Sequence, residues 1–150
     1  MDMRARIAAG LVEAMKSKEA ARLSTLRLIN AAIKDREIAL RGEDGTVGDA
    51  EILAILGKMV KQRQESARAY EEGGRLELAE KELGEIRVIE EFLPRQLAPE
   101  EVDAAVNAAV ASVGATSIRD VGRVMAELKA KYTGQMDFGA VGALVKGRLA

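Results

Sequence analysis

The sequence contains no cysteine, no histidine and no tryptophan. Without cysteine the chain can form no disulfide, no thiolate nucleophile and no zinc–thiolate site. Without histidine it lacks the commonest general base and the commonest transition-metal ligand. We therefore expect no catalytic residues, no metal site and no cofactor in this chain.

Aromatic residues are also scarce, at 3% of the chain, and the 23 basic residues are balanced by 24 acidic ones. So few rings leave little surface on which bases could stack, which argues against base-specific readout of single strands. The net charge of −1 provides no long-range basic field. A binding site for a polyanion must therefore be a local patch.

Long apolar runs are absent as well. No run approaches the length of a membrane span, and residues 1–10 mix charged and apolar residues without the apolar region of a secretory signal. These two absences lead us to expect no membrane partner and a cytoplasmic location.

Apolar residues recur every three or four positions along nearly the whole chain, which is the period of a helix with one buried face. The patterns predict an all-α fold, with about four helices in an N-terminal domain followed by a small three-helix C-terminal domain. Asp2, Asp49 and Asp137 are predicted helix N-caps. The Gly73-Gly74 pair is predicted to end the third helix.

Pro94 and Pro99 are the only prolines, and they mark the predicted domain boundary. Proline disfavours helix in the residue before it and cannot donate a backbone hydrogen bond. We expect domains at residues 1–93 and 99–150, joined by a linker at 94–98, with Pro99 as the first residue of a helix. The composition of residues 42–48 predicts an exposed loop.

The best candidate for a basic patch lies in residues 115–150, a segment that contains six basic and three acidic side chains. Arg119 and Arg123 are four residues apart and so share one helix face. The simpler interpretation, which the sequence alone favours, is a solvated surface whose C-terminal lysines complement helix dipoles. Contact with a phosphate backbone is the alternative.

Polar residues within the second helix have mostly structural explanations. Ser24 and Thr25 form an adjacent hydroxyl pair, but no spacing singles out a base for either, so neither is predicted to be a nucleophile. A helical hydroxyl such as that of Ser24 can instead bond back to a backbone carbonyl. Asn30 stands within the apolar pattern, and we expect a buried amide satisfied by a neighbouring helix.

Six blocks of residues, in order along nearly the whole chain, form a recognisable pattern: residues 22–34 (RLSTLRLINAAIK), 37–38 (EI), 92–97 (FLPRQL), 122–125 (GRVM), 131–137 (KYTGQMD) and 145–146 (VK). These blocks closely resemble the YqeY proteins, which share a domain with the C-terminal tail of GatB, a subunit of the tRNA-dependent amidotransferase.

The resemblance implies a helical N-terminal domain joined to a smaller three-helix domain, and a role in holding tRNA while other proteins perform the chemistry. It makes six residues candidates for contacting nucleic acid: Arg119, Arg123, Lys129, Lys131, Gly134 and Lys146. No catalytic residue carries over, because the parts of GatB that hold ATP and metal have no counterpart here. Relatives of this kind can be labelled carbon–nitrogen ligases with glutamine as amide donor, which the residues here do not support.

Two functional hypotheses follow. The first is a non-catalytic tRNA-binding module, accessory to a tRNA-dependent amidotransferase or to related tRNA metabolism, which reads RNA shape through phosphates and 2′-hydroxyls. The rival is an adaptor that binds amidotransferase subunits or another RNA-handling protein through an apolar face and has no RNA contact. Binding by the first should weaken with salt, whereas binding by the second should barely respond.

Overall fold

The computed structural model describes residues 2–40 and 47–150, and in this part of the chain it contains helices and no strand. The described residues form seven α-helices, which confirms the predicted all-α fold: α1 (Met3–Lys16), α2 (Ala20–Ala39), α3 (Asp49–Glu72), α4 (Leu76–Glu90), α5 (Pro99–Val113), α6 (Val121–Lys131) and α7 (Phe138–Leu149). A 3-10 turn, Ile118–Asp120, precedes α6. The loop predicted at residues 42–48 lies almost entirely outside the described residues.

The chain divides into two compact units, unit 1 (Met1–Leu93) and unit 2 (Pro94–Ala150). Within unit 1, α1 packs against α2, α3 against α4, and α2 also contacts α3 and α4. Within unit 2, α6 packs against both α5 and α7. None of the helices in the described residues has the length and apolar content that crossing a bilayer requires.

The core of unit 1 is built from the apolar stripes of its four helices. Ile7 of α1, Leu26 and Ile29 of α2, Leu56 of α3 and Ile89 of α4 are fully buried. The Arg63 Nε atom of α3 lies 2.8 Å from Glu85 Oε2 of α4, and both side chains are largely covered. Apolar burial therefore holds the four helices together, with this ion pair bridging the α3–α4 contact.

The end of α4 is fastened to the α1–α2 pair by two arginines. Arg22 of α2 forms an ion pair with Glu91, and this hydrogen-bonded contact raises the pKa of the Arg22 guanidinium above its ordinary value. Arg6 of α1 donates to the Glu91 carbonyl at 3.2 Å and lies 5.6 Å from the centroid of the Phe92 ring. Phe92 is buried in the core of unit 1, so this core extends to the last residues of the unit.

The helix ends follow simple local rules, with one exception. The Asp2 carboxylate accepts from the backbone N–H of Ala5 at 2.8 Å and caps α1 as predicted. Gly73 ends α3, and Gly74 has a φ of +72°, a backbone conformation that glycine adopts without a steric penalty. The prediction that Asp49 caps α3 is wrong: Gly48 is the N-cap, and Asp49 instead accepts from the N–H of Met3 at 3.3 Å.

The prediction for Asn30 is also wrong, because its side chain is exposed. Asn30 follows the buried Ile29 by one residue, and one residue is a rotation of about 100° around the helix, which turns it out of the core. The buried polar residue of α2 is Thr25, at 2% exposure. Its hydroxyl donates to the Ala21 carbonyl, so it is satisfied within its own helix.

Unit 2 is a three-helix bundle whose core consists mainly of valine, alanine and leucine. Val106 of α5, Val124 and Leu128 of α6, and Val141 and Val145 of α7 are buried against one another. Valine pays a small helix-propensity cost, which burial of its side chain offsets.

The segment predicted as a linker, residues 94–98, is hydrogen bonded within unit 2. The Leu97 N–H donates to the Gln135 carbonyl at 2.9 Å, and the Gln135 side chain donates back to the Arg95 carbonyl at 3.1 Å. The Gln96 side chain donates to the Gly134 carbonyl at 2.6 Å. These bonds hold residues 95–97, at the start of unit 2, against the turn between α6 and α7.

The start of α5 carries a pH-sensitive contact. Glu101 accepts two hydrogen bonds from the Arg95 guanidinium, at 2.7 and 2.8 Å, and a third from the Ala98 N–H at 3.0 Å. The arginine bonds, followed by the backbone bond, lower the pKa of Glu101 from 4.5 to about 2. Because Glu101 holds its proton less tightly when folded, it stabilises unit 2 above pH 4.5, and this contribution fades as the pH falls toward 2.

We therefore expect Glu101→Gln to flatten the acid limb of the stability–pH curve of unit 2 between these two pH values. Thermal melts followed by circular dichroism across this pH range would measure it. Glu100→Gln, one residue away on the same exposed first turn, is the matched control and should leave the limb in place. An unchanged acid limb in Glu101→Gln would contradict the role assigned to Glu101.

Candidate nucleic-acid interface

The candidate interface consists of cations of the 3-10 turn, α6 and α7, and the Asp120 carboxylate holds the chain at the start of α6. Asp120 Oδ2 accepts from the N–H groups of Thr116 and Ser117, at 2.9 and 3.2 Å. Its other oxygen accepts from Arg123 Nη2 at 3.0 Å. The backbone bond from Thr116, then the arginine and Ser117 bonds, lower the pKa of Asp120 below its ordinary value. The carboxylate therefore stays charged at neutral pH and positions the turn that carries Arg119.

Two of the predicted contact residues already have carboxylate partners. Arg123 forms the ion pair with Asp120, and Lys131 lies 3.4 Å from Glu127 one turn earlier on α6. Glu127 also accepts from the Ser112 hydroxyl of α5 at 2.9 Å. Both cationic side chains remain 60% exposed, but part of the charge of each is neutralised locally.

Other cations of unit 2 have no such partner among the described residues. Arg119, Lys129, Lys146 and Arg148 are all exposed, and no carboxylate in residues 2–40 or 47–150 forms an ion pair with them. Arg148 was in the basic window of the sequence but was not among the predicted contact residues. Its exposure and lack of a partner place it in the same class as the other three. We call these four residues the free cations of unit 2.

The predicted residues do not all share one face. Arg119 lies in the 3-10 turn, and Arg123 follows it on the first turn of α6. Arg123 and Lys129 are six positions apart, which puts them about 120° apart around the helix. Lys146 belongs to a different helix, α7. The cations are therefore spread over the surface of the bundle and do not form one row.

Gly134 has a backbone role in the structure. It lies in the turn between α6 and α7 with a φ of +77°, where glycine avoids the clash that a Cβ would cause. Its carbonyl accepts the hydrogen bond from Gln96. Contact between Gly134 and RNA stays a prediction.

Within the described residues, no metal-binding cluster is present and the hydroxyl pair of α2 is hydrogen bonded to no carboxylate. No group of three or more acidic side chains there is arranged to hold a metal ion. The Ser24 side chain is exposed on α2, and the Thr25 hydroxyl is engaged with the Ala21 carbonyl. Neither hydroxyl of this pair donates to a carboxylate in the described residues, so Ser24 and Thr25 have no base hydrogen bonded to them.

The sequence interpretation missed one group of exposed polar residues, on α2 of unit 1. Arg27, Asn30 and Lys34 are all exposed there, although Asn30 was predicted to be buried. Because they are spaced three and four residues apart, they form one stripe along the helix. Each of them directly follows a residue of the buried stripe, which consists of Leu26, Ile29 and Ile33. A helical projection of residues 20–39 would have shown that these three polar residues lie beside the apolar stripe and not within it.

Several curated fungal proteins are similar to part of this chain. An uncharacterised protein of Schizosaccharomyces pombe is 32% identical over 84 residues, which are 56% of this chain and 66% of the relative. Altered inheritance of mitochondria protein 41 of Clavispora lusitaniae is 37% identical over 83 residues (55% and 46%), and that of Kluyveromyces lactis is 32% identical over 99 residues (64% and 52%). The matches thus span from about half to two thirds of the relatives' own length.

The relatives that are named as mitochondrial contradict the predicted cytoplasmic location. The proteins of Clavispora lusitaniae, Saccharomyces cerevisiae and Kluyveromyces lactis are all named as mitochondrial. The prediction is wrong because it rested on the missing apolar region of a secretory signal. Import signals of mitochondria are amphipathic and basic, so that criterion does not address them.

A family model supplies the broader relationship. The model described as Yqey-like protein matches residues 4–149, a span that includes all seven helices except the first residue of α1. The match takes in both units and all six blocks on which the resemblance was based. This chain belongs to the YqeY-like protein family.

Proposed function

We propose that this protein is a non-catalytic tRNA-binding module, accessory to a tRNA-dependent amidotransferase or to related tRNA metabolism, and that unit 2 makes the principal RNA contact. The observation that carries the proposal is the set of free cations: Arg119, Lys129, Lys146 and Arg148 are exposed and have no carboxylate partner among the described residues, in a chain whose total charge is near zero. Unpaired surface cations can exchange counterions for phosphates at little cost in intramolecular contacts.

The kind of recognition follows from the residue types. The free cations stand on a compact helical bundle, and the chain offers few aromatic rings for stacking on bases. Such a surface suits phosphate and 2′-hydroxyl contacts that read the shape of folded RNA rather than its sequence. Arg123 and Lys131 are held partly by their own carboxylates, so we expect them to contribute less than the free cations.

The test is a charge-reversal variant, Arg119→Glu, Lys129→Glu and Lys146→Glu, assayed for tRNA binding at fixed low salt. Three lost phosphate contacts should weaken binding by at least about tenfold and reduce the log–log salt slope by about 2 to 3. All three side chains are exposed, so the variant should fold, and circular dichroism would verify it.

The matched control reverses three exposed cations of unit 1, Lys58→Glu, Arg68→Glu and Lys81→Glu, on α3 and α4. It changes the total charge by the same amount and should keep most of the binding. Equal losses in the two variants would mean that net charge alone governs binding. That result would remove unit 2 as the principal contact.

The adaptor hypothesis is supported by a different observation. Leu76 and Leu78, at the start of α4, are 67% and 40% exposed and line a shallow surface depression with Gly74, Arg75 and Glu77. Isolated exposed leucines are common on monomeric proteins. If a protein partner binds at these two leucines, binding should persist at high salt and be lost in the double variant Leu76→Ser/Leu78→Ser. Binding of tRNA should be unaffected by these two substitutions.

A further inference from the structure

The charges of unit 1 are divided between its two helix pairs. Residues 2–40, which form α1 and α2, contain eight basic and five acidic side chains, whereas residues 49–90, which form α3 and α4, contain seven basic and ten acidic ones. The balance is therefore +3 on one pair and −3 on the other. Unit 1 thus has a basic and an acidic helix pair, a division that its small net charge conceals.

Most arginines of the basic pair are used within unit 1. Arg4 pairs with Glu37, Arg22 with Glu91, and Arg36 with Glu51. Two cations of α2 are not used in this way. Arg27 and Lys34 are exposed, and no carboxylate among the described residues forms an ion pair with either.

Arg27 and Lys34 lie on the same outward stripe of α2. They are seven residues apart, which is about two helical turns, or roughly 10 Å along the axis. Asn30 lies between them and is exposed on the same stripe. The stripe therefore presents a guanidinium, an amide and an ammonium group in a row along one face of α2.

We propose that this stripe, Arg27–Asn30–Lys34, is a second RNA-contacting surface, separate from the free cations of unit 2. This inference rests on the proposed function. The Arg27 fork can donate two parallel hydrogen bonds to one phosphate, and Lys34 supplies a second cation. The Asn30 amide can donate to a phosphate or accept from a 2′-hydroxyl. The acidic α3–α4 pair would repel the same backbone, which orients RNA toward α2.

The test reverses both cations, Arg27→Glu and Lys34→Glu, and measures tRNA binding beside the wild type and the unit 2 variant. We expect about fivefold weaker binding or more, with a salt slope reduced by about 1 to 2. Asn30→Ala should weaken binding less and leave the slope unchanged, since the amide carries no charge. The control, Lys58→Glu and Lys81→Glu on the acidic pair, makes the same change in net charge and should have little effect.

The outcomes separate this inference from the function on which it rests. If the unit 2 variant loses binding and the α2 variant does not, the second surface is wrong and the proposed function stands. If both variants lose binding and the control does not, both claims are supported. If the wild type binds no tRNA even at low salt, both fall, and a protein partner for the α2 stripe becomes the hypothesis to pursue.

Discussion

Leu128→Ala is expected to unfold unit 2 while unit 1 keeps its helices. Leu128 is fully buried in the core that α5, α6 and α7 share. Truncating a buried leucine to alanine costs about 2–5 kcal/mol. A single core in a unit as small as residues 94–150 rarely supplies more than about 3–5 kcal/mol of stability, so the substitution removes most of it.

Hydrogen exchange resolved by peptide would measure the stability of the two units separately. Loss of protection should be confined to residues 94–150. The control is Leu144→Ala, the same change at a residue that is 49% exposed on α7, and it should shift stability by less than about 0.5 kcal/mol. Equal loss of protection across both units would show that they unfold as one.

Gly10→Leu is expected to destabilise unit 1. Gly10 is buried in α1, and a Cβ added there would lie 3.2 Å from the tip of the Phe92 ring and 3.8 Å from Leu26. A leucine needs three further carbons in the same space. Overpacking of this kind costs about 1–3 kcal/mol, more than the roughly 0.8 kcal/mol that leucine gains over glycine in helix propensity. Urea unfolding of the full chain would measure the change.

Gly57→Leu is the matched control, because Gly57 lies in α3 with an exposed backbone and no heavy atom within 4 Å of an added Cβ. Without a clash, only the helix-propensity gain remains, so stability should rise by up to about 1 kcal/mol. A stable Gly10→Leu protein would show that Phe92 does not pack against α1 as described.

Local rules were enough to predict much of the fold. The Asp2 and Asp137 caps, the Gly73-Gly74 helix end and the helical start at Pro99 were all predicted, since each depends on a few neighbouring residues. The N-cap of α3 was placed one residue late, because Asp49 is a good cap by type but is bonded to Met3, 46 residues earlier in the chain. Such a long-range bond leaves no local signal.

The candidate interface was predicted less well, because charge pairing depends on geometry. From the sequence, Arg119 and Arg123 look equivalent, yet Arg123 bonds to Asp120 and Arg119 does not. Lys129 and Lys131 differ in the same way through Glu127. Asn30 was misplaced because the alanines around it broaden the apparent apolar face of α2 beyond the part that is buried.

The most direct test of RNA binding through unit 2 is the affinity of the purified protein for tRNA at a series of salt concentrations. The four free cations of unit 2 alone predict a log–log slope of about −3 to −4, which corresponds to about 100-fold weaker binding at 200 mM than at 50 mM salt, and the α2 stripe would steepen that slope by about 1 to 2. Affinity that stays constant across the series, or no measurable binding at the lowest salt, would contradict an RNA-holding role.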